Sequence, residues 1–300
     1  MDLSFKKDIK NIFKSHQIRP SKSLGQNFLV DKKAINRIIR AAELNSEDIV
    51  LEIGPGLGSL TQELAEKVKK VVAVEKDPNL VRILNKELRI KNIKNIEIIQ
   101  GNVLKILNSS FAEHKGGERW DVASATLILN SYKLVGNLPF YLVAPVIRKF
   151  LESNNPPKTM VLVVQKEVGQ RICAKPGKMS ILAVSIQVYA EPKIISYISK
   201  KSFWPRPKVD SAIIKLTPHS DKNRAVARFL SDLPRGFFRV VKAGFSQPRK
   251  QLINNLTRKL NLDRSEVEGW LLKNNINPTQ RAETLSVEDW LKLTKSFRIE

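Results

Sequence analysis

Short apolar runs alternate with amphipathic segments through the first half of this sequence, and this alternation constrains the fold more than any other feature. Continuous apolar runs without polar alternation are typical of strands in a parallel sheet that is covered on both faces. Strands are predicted on this basis at 49–53, 71–74, 96–100, 133–136 and 160–165. Apolar residues at helical spacing separate them, and they predict helices at 33–43, 60–68, 79–88 and 144–151. We therefore predict a doubly wound α/β sheet.

The composition excludes several classes of protein. Of 300 residues, 42% are hydrophobic, which suffices for a core, and no apolar stretch reaches the 18 residues of a membrane span. The N-terminus lacks the apolar segment of a secretory signal, so we expect a cytoplasmic protein, and a monomer. We expect no disulfide, no metal site and no membrane partner, because the chain has one cysteine and three scattered histidines: Cys173, His16, His114 and His219.

The chain changes character near Pro218. A proline-rich approach leads into a final strand within 203–216, and the remainder is predicted to be helical. We therefore expect an α/β domain over 1–218 and a small all-helical domain over 219–300. Two capping boxes are predicted to start helices in the second domain, at Ser265 with Glu268 and at Ser286 with Asp289.

The chain is strongly basic, with 52 Lys and Arg against 29 Asp and Glu and a net charge of +23 at pH 7. Residues 219–300 hold 16 of the basic and 9 of the acidic residues, so both parts of the chain are basic. A folded protein that is basic throughout favours a polyanionic partner, of which nucleic acid is the commonest. The alternative is a basic surface that serves solubility alone.

A glycine-rich segment, LEIGPGLG at 51–58, lies between a predicted strand and a predicted helix. Bare backbone at a helix N-terminus lets a nucleotide approach closely. A dinucleotide fingerprint would need glycine where Ser59 stands, which argues against NAD. Glu75 ends the next strand, 21 residues after Gly54, where a carboxylate is able to accept hydrogen bonds from two ribose hydroxyls. These features favour a nucleoside ligand.

The pattern E-x-G-x-G-x-G is similar to motif I of the class I methyltransferases, whose fold is a Rossmann-like doubly wound sheet. This resemblance implies S-adenosyl-L-methionine as the cofactor. In that class the residue after the glycine that ends the third strand is usually Asp, which accepts from the adenine amine. Here it is Asn102, whose amide oxygen accepts without charge, so we expect weaker cofactor binding.

The fourth predicted strand runs into Asn137-Leu138-Pro139-Phe140, at the sheet edge where a doubly wound fold places its reaction. The exocyclic amine of adenine is a poor nucleophile because its lone pair is delocalised into the ring. We interpret the Asn137 side-chain oxygen and the Leu138 carbonyl as acceptors for that amine, with Pro139 fixing the backbone. Phe140 is predicted to stack on the target base. The alternative is an ordinary turn with a buried aromatic.

Asn-Leu-Pro-Phe resembles motif IV of the amino-methyltransferases, and further motifs resemble those of the small-subunit rRNA adenine dimethyltransferases. These motifs are SLGQNFLVD (23–31), VQKEV (164–168), AKPG (174–177), FWPRPKVDS (203–211), FSQPRK (245–250) and RAETLS (281–286). The resemblance implies dimethylation of two adjacent adenosines in the 3′-terminal hairpin loop of small-subunit rRNA during ribosome assembly. Small-subunit rRNA, or an assembling small ribosomal subunit, is then the partner.

The same resemblance assigns roles to individual residues. Phe203 is expected to form a second wall around the target base. The chain departs from the family at Phe140, where Tyr is more frequent, at Asn102, and in a longer stretch before Gly136. In that stretch we interpret 108–120 as a surface loop and 122–130 as an extra strand or hairpin. Cofactor contacts are expected from Asn27, Leu29, Gly54, Gly56, Glu75, Asn102 and Asn137.

Basic residues near the N-terminus are interpreted as an arm that attracts phosphates, with a solvated helix face as the alternative. The arm comprises Lys6, Lys7, Lys10, Lys14, Arg19 and Lys22. Lys22, Arg249 and Lys250 are predicted to contact the RNA backbone.

Three other functions stay open at this point. One is a large-subunit rRNA adenine methyltransferase of the macrolide-resistance type, which the segment at Phe203 and the motif at Arg281 disfavour. Another is a non-catalytic RNA-binding assembly factor on the same fold. The third is an NAD-dependent dehydrogenase, which Ser59 disfavours.

Overall fold

The computed structural model of the chain describes residues 6–106, 131–153, 155–219 and 236–297. The chain divides into two compact units. The first unit comprises Met1–Gly169 and Lys193–Pro218, and the second comprises Gln170–Pro192 and His219–Glu300. The predicted surface loop (108–120) and the predicted extra strand or hairpin (122–130) lie outside the described residues.

A seven-stranded sheet confirms the α/β prediction. The described strands are β1 (Phe28–Leu29), β2 (Ile49–Ile53), β3 (Lys70–Glu75), β4 (Ile96–Gln100), β5 (Lys133–Asn137), β6 (Met160–Gln165), β7 (Ala190–Ile198), β8 (Phe203–Trp204) and β9 (Ser211–Pro218). The large sheet has the order β4-β3-β2-β5-β6-β9-β7, while β1 and β8 form a separate antiparallel pair.

The register brings the carboxyl ends of several strands to one edge of the sheet. Strand β2 is parallel to both β3 and β5, so that Ile53 lies opposite Val74 on one side and Gly136 on the other. The chain order reverses between β2 and β5, and such a switch point opens a crevice for ligands. Strand β9 runs antiparallel to β6, with Gln165 opposite Ser211.

The helices follow the predicted apolar spacing. Asp31 begins one of them as predicted, since its Oδ1 accepts from the Ala34 N–H at 3.1 Å, and this helix buries Ile35 and Ile38 fully. The α-helices of the described ranges are Lys6–Ser15, Lys32–Ala41, Ser59–Ala65, Pro78–Ile90, Val103–Ile106, Val143–Leu151, Lys166–Ile172, Ile181–Gln187, Phe237–Gly244, Leu252–Leu260, Arg264–Lys273 and Val287–Lys295.

The N-terminal segment that the charges suggested to be a basic arm forms the helix Lys6–Ser15. Ile9 and Phe13 are buried, and they belong to one apolar cluster with Leu80 and Ile83. The helix is therefore anchored to the fold by its apolar face, while the side chains of Lys7, Lys10 and Lys14 are exposed.

The second unit includes a stretch that the sequence analysis assigned to the first domain. A single boundary at Pro218 therefore does not describe the division, because residues 170–192 belong to the same compact unit as the C-terminal helices. The physical reason is a shared core: Ala183 and Val184 lie in the same apolar cluster as Phe237 and Trp290.

One of the two predicted capping boxes is confirmed. Ser286 and Asp289 bond reciprocally at the start of Val287–Lys295. The box at Ser265 was wrong, because the carboxylate of Asp263 caps that helix two residues earlier and accepts from the Ser265 N–H at 2.7 Å.

Candidate active site

The glycine-rich segment turns sharply between β2 and the helix Ser59–Ala65. Gly58 has φ of 91°, which favours glycine, and a Cβ there would lie 2.4 Å from Leu84 Cδ1 and displace that side chain. At Gly54, with φ of 71°, the nearest atom to a Cβ would be the Asn137 carbonyl oxygen at 3.7 Å. The backbone at Gly54 is therefore open to a ligand at the switch point between β2 and β5.

Glu75 ends β3 beside this loop and is fixed by backbone donors. Its Oε1 accepts from the N–H groups of Lys76 at 2.8 Å and Asp77 at 2.9 Å, and its Oε2 accepts from Gly56 at 3.2 Å. Burial raises the pKa of Glu75, and the three bonds oppose the rise. Oε2 carries a single bond of this set and keeps capacity for another donor.

Glu52, the first residue of the motif I pattern, is a second carboxyl group in the cavity, and sequence analysis gave it no individual contact. Its side chain is 1% exposed, and burial raises its pKa to about 8, with the charge of Glu75 adding to the rise. Among the described residues Oε2 has no hydrogen-bond partner. Glu52 is therefore largely protonated at pH 7.

Asn102 follows β4 and caps the short helix Val103–Ile106. Its Oδ1 accepts from the Leu104 N–H at 3.1 Å, and its backbone carbonyl accepts from Lys105 at 2.8 Å. The amide oxygen expected to face a ligand therefore already holds one hydrogen bond. Its remaining lone pair and its amide nitrogen are the groups left for a ligand.

Asn137 is the last residue of β5, and its side-chain orientation is set by the N-terminal part of the chain. Its Nδ2 donates to the Asn27 carbonyl oxygen at 3.0 Å. The Asn27 side chain in turn donates to the Gly25 carbonyl at 3.0 Å. Because the amide nitrogen makes this bond, the Asn137 Oδ1 is the group of the side chain left to accept from a ligand.

The residues after Asn137 form a tight turn. Leu138 is 3% exposed and its N–H donates to the Val163 carbonyl, while the Pro139 carbonyl accepts from Leu142 at 2.9 Å. Phe140 lies at the start of the 3₁₀ turn Phe140–Leu142, and its side chain lies outside the described part of the structure. Tyr141, to which the sequence analysis gave no role, is 54% exposed at the cavity.

The antiparallel pair of β1 and β8 closes one side of the cavity. Phe28 lies opposite Trp204, and Leu29 lies opposite Phe203. The ring of Phe28 is 3.0 Å from the position of a Cβ on Gly56, so this ring packs directly on the glycine loop. Phe203 is 3% exposed and contributes its buried ring to the cavity wall.

One cavity collects nearly all the residues predicted for the cofactor and the reaction. It also includes Glu52 of the motif I pattern, and Tyr141, which sequence reasoning missed. The predicted residues that line it are Asn27, Leu29, Gly54, Gly56, Glu75, Asn102, Asn137, Leu138, Pro139 and Phe203.

The residues predicted to contact RNA backbone lie outside this cavity. Lys22 is exposed in the first unit, and Arg249 and Lys250 are exposed in the second. The buried side chain of Asn255 donates to the carbonyls of Gly244 and Gln247 at 2.7 and 3.0 Å, which fixes the turn that carries the two cations.

Neither a metal cluster nor a membrane span is found in the described ranges. No group of three or more His, Cys, Asp or Glu side chains is arranged for a metal ion there. Nor does any helix of that part combine the length and apolar character needed to cross a membrane.

The sheet order and the site define a class. A mostly parallel seven-stranded sheet with a glycine loop and carboxylates at the β2/β5 switch point is the arrangement of the class I methyltransferases. The family model for ribosomal RNA adenine dimethylase matches residues 16–298, and the chain belongs to this family.

Curated relatives match over nearly the full chain. A ribosomal RNA small subunit methyltransferase A from Clostridium botulinum is 39% identical over 287 residues, which cover 95% of this chain and 96% of the relative. The protein of the same name from Dehalococcoides mccartyi is 37% identical, over 96% of this chain and 92% of the relative.

Two solved structures share the fold. A dimethyladenosine transferase from Plasmodium falciparum has a TM-score of 0.68 and 25% identity, covering 89% of this chain and 95% of its own. The 23S rRNA methyltransferase ErmE has a TM-score of 0.64 and 27% identity, covering 90% of this chain and 98% of its own.

Proposed function

We propose that this protein dimethylates the N6 amino groups of two adjacent adenosines in the 3′-terminal hairpin loop of small-subunit rRNA, with S-adenosyl-L-methionine as methyl donor. The observation that carries the proposal is the fixed amide of Asn137, which Asn27 holds at 3.0 Å beside the glycine loop. Membership of the ribosomal RNA adenine dimethylase family and the names of the curated relatives support the substrate.

The cavity fits this cofactor. The backbone at Gly54 leaves space that a Cβ would partly fill. The Glu75 carboxylate is held by three N–H groups and keeps capacity to accept from ribose hydroxyls. Asn27, Leu29 and Gly56 complete the walls of this part of the cavity. When bound, S-adenosyl-L-methionine supplies an electrophilic methyl group on a sulfonium.

Asn102 would hold the adenine end of the cofactor. Its Oδ1 spends one lone pair on the Leu104 N–H, so the second lone pair is the acceptor left for the adenine amine. This contact lacks the charge that Asp would supply, so we expect the cofactor to bind more weakly than it would with Asp at this position.

The target amine is activated by acceptors. In the first transfer the Asn137 Oδ1 and the Leu138 carbonyl each accept one N–H of the adenosine, and in the second transfer one of them accepts the N–H that remains. These bonds withdraw the nitrogen lone pair from the ring and direct it towards the methyl group. Pro139, with φ of −55° and ψ of 140°, fixes the backbone that carries the second acceptor.

The target base needs walls, because it must leave its stack to reach the cavity. The proposed stacking partners are Phe140, in the turn after Pro139, and Phe203, which is buried in β8. No histidine is among the described residues that line the cavity. A dedicated base is unnecessary, because the alkylated amine is acidic and loses its proton to solvent.

The basic surface is the proposed means of holding the RNA. The net charge of +23 favours phosphate binding, and Lys22, Arg249 and Lys250 position the backbone without reading sequence. The partner is rRNA of an assembling small subunit in the cytoplasm. We propose that the protein acts as a monomer.

The test is incubation of the purified protein with tritiated S-adenosyl-L-methionine and immature small ribosomal subunits, followed by nuclease digestion and nucleoside analysis. Label in dimethyladenosine is the expected result. Binding of the subunits without transfer of label would replace the enzyme with a non-catalytic assembly factor. Label found only in large-subunit rRNA, when both subunits are offered, would contradict the proposed substrate.

A further inference from the structure

Tyr197 and Lys166 form a surface pair that the proposed reaction does not use. Tyr197 lies on β7, one of the two edge strands of the described sheet, and is 45% exposed. The Lys166 Nζ lies 5.3 Å from the centroid of the Tyr197 ring. This cation–π contact places a positive charge beside a ring that is partly exposed to a ligand.

The pair lies at the same sheet edge as the cavity. Lys166 directly follows Gln165, which pairs with Ser211 of the cavity wall. The Lys166 N–H donates to the Asp210 carbonyl at 3.0 Å, and the Lys200 N–H donates to Asp210 Oδ1 at 2.9 Å. Asp210 therefore holds the two lysine backbones together beside the wall that contains Phe203.

The surrounding loop is cationic. Four exposed cations lie between β7 and β9, two of them within the motif at 203–211. They are Lys200, Lys201, Arg206 and Lys208. Exposed aromatic rings interleaved with lysines are the usual platform for unpaired nucleotides, because bases stack on the ring while the cations neutralise phosphates.

We propose that Tyr197 and Lys166 bind an unpaired nucleotide that neighbours the target adenosine, with its base stacked on Tyr197 and its phosphate near Lys166 and Lys200. This site rests on the proposed function, since it assumes a single-stranded RNA segment at the cavity. It is separate from the target-base walls and positions the loop while one adenosine is in the cavity.

The test uses immature small ribosomal subunits and the full chain. Tyr197→Ala should weaken subunit binding about tenfold, as loss of one base–aromatic stack does, while Tyr197→Phe should bind as the wild type does. Lys166→Met should lower the salt dependence of binding by about one phosphate contact. Lys94→Met is the matched control. Lys94 is exposed and precedes β4, which lies at the other end of the strand order from β7.

A crosslinking experiment separates RNA contact from a structural role. Tyr197 is replaced by the photoreactive p-benzoylphenylalanine, and reverse-transcription stops should map to the hairpin loop that carries the target adenosines. The same replacement at Ile90, which is 68% exposed, should give no stop in that loop. Unchanged binding by Tyr197→Ala, or stops only outside the hairpin, would overturn this site. If the wild type transfers no methyl group to small-subunit rRNA, the proposed function itself fails.

Discussion

The side chain of Asn137 donates to the backbone carbonyl of Asn27 at 3.0 Å, which joins residues 110 positions apart in the chain. This bond decides which end of the Asn137 amide faces the cavity. A residue contributed by the N-terminal segment therefore sets the chemistry available at the end of β5.

Replacement of Asn137 tests this arrangement. Asn137→Ala should slow methyl transfer by about 10²–10³-fold, because an acceptor for the target amine is lost. Binding of S-adenosylhomocysteine, measured by calorimetry, should change only a few fold. Asn85→Ala, which removes an exposed amide from the helix Pro78–Ile90, is the control and should leave transfer unchanged. An Asn137→Ala protein with normal single-turnover rates would remove our account of the amine.

Asn102→Asp should tighten cofactor binding. One carboxylate oxygen would keep the bond to the Leu104 N–H, and the other would accept from the adenine amine with charge. Calorimetry with S-adenosylhomocysteine should show a gain of about tenfold. S-inosylhomocysteine, which has an oxygen in place of that amine, should gain nothing from the change. Weaker binding of the adenine compound would mean that Asn102 does not face the adenine.

Glu52 should make stability fall as the pH rises. Its pKa is about 8 in the folded protein and near 4.5 when unfolded, so the native state binds more protons between these values. The free energy of unfolding then decreases with pH across this window, by up to about 1.4 kcal/mol per unit. Glu52→Gln should flatten the dependence of Tm on pH between 5.5 and 8. Equal slopes for the variant and the wild type would contradict a buried, protonated Glu52.

Replacement of Gly58 should destabilise the fold, because its backbone is left-handed and a Cβ would crowd the Leu84 side chain. Gly58→Ala places a methyl group 2.4 Å from Leu84 Cδ1 at φ of 91°, and should cost about 2–4 kcal/mol of unfolding free energy. Gly269→Ala is the matched control, because Gly269 lies within the helix Arg264–Lys273 with nothing near a Cβ. That change should stabilise the protein by about 0.5–1 kcal/mol. Urea denaturation of both variants distinguishes a specific clash from a general intolerance of alanine.

The parallel core of the sheet was predictable because its strands are buried on both faces and carry an uninterrupted apolar signal. Strand β2 matches its predicted bounds, 49–53. Strand β7 was missed, since it contains Pro192 and Lys193 and is only partly buried. The helix Ile181–Gln187 has only seven residues, too few for a clear period. Its assignment to the second unit depends on packing against distant residues.

The candidate site was predictable as far as it follows strand ends. Gly54, Glu75, Asn102 and Asn137 each end or follow a strand, and parallel strands bring such positions to one edge. What a side chain binds within that edge depends on partners far along the chain, as with Asn27 and Asn137. The cap made by Asn102 could have been predicted, since Asn directly before a helix is a preferred N-cap.

The position of β9 in the sheet also limits the order in which the strands can pair while the protein is being synthesised. Strand β9 lies between β6 and β7 although it follows both in the chain. Until residues 211–218 have left the exit tunnel, β6 has an unpaired edge and β7 has no neighbour to join. Closure of the sheet must therefore wait until Pro218 of the 300 residues, about three quarters of the chain, has emerged from the ribosome, and a truncation before Ser211 should yield an aggregation-prone fragment.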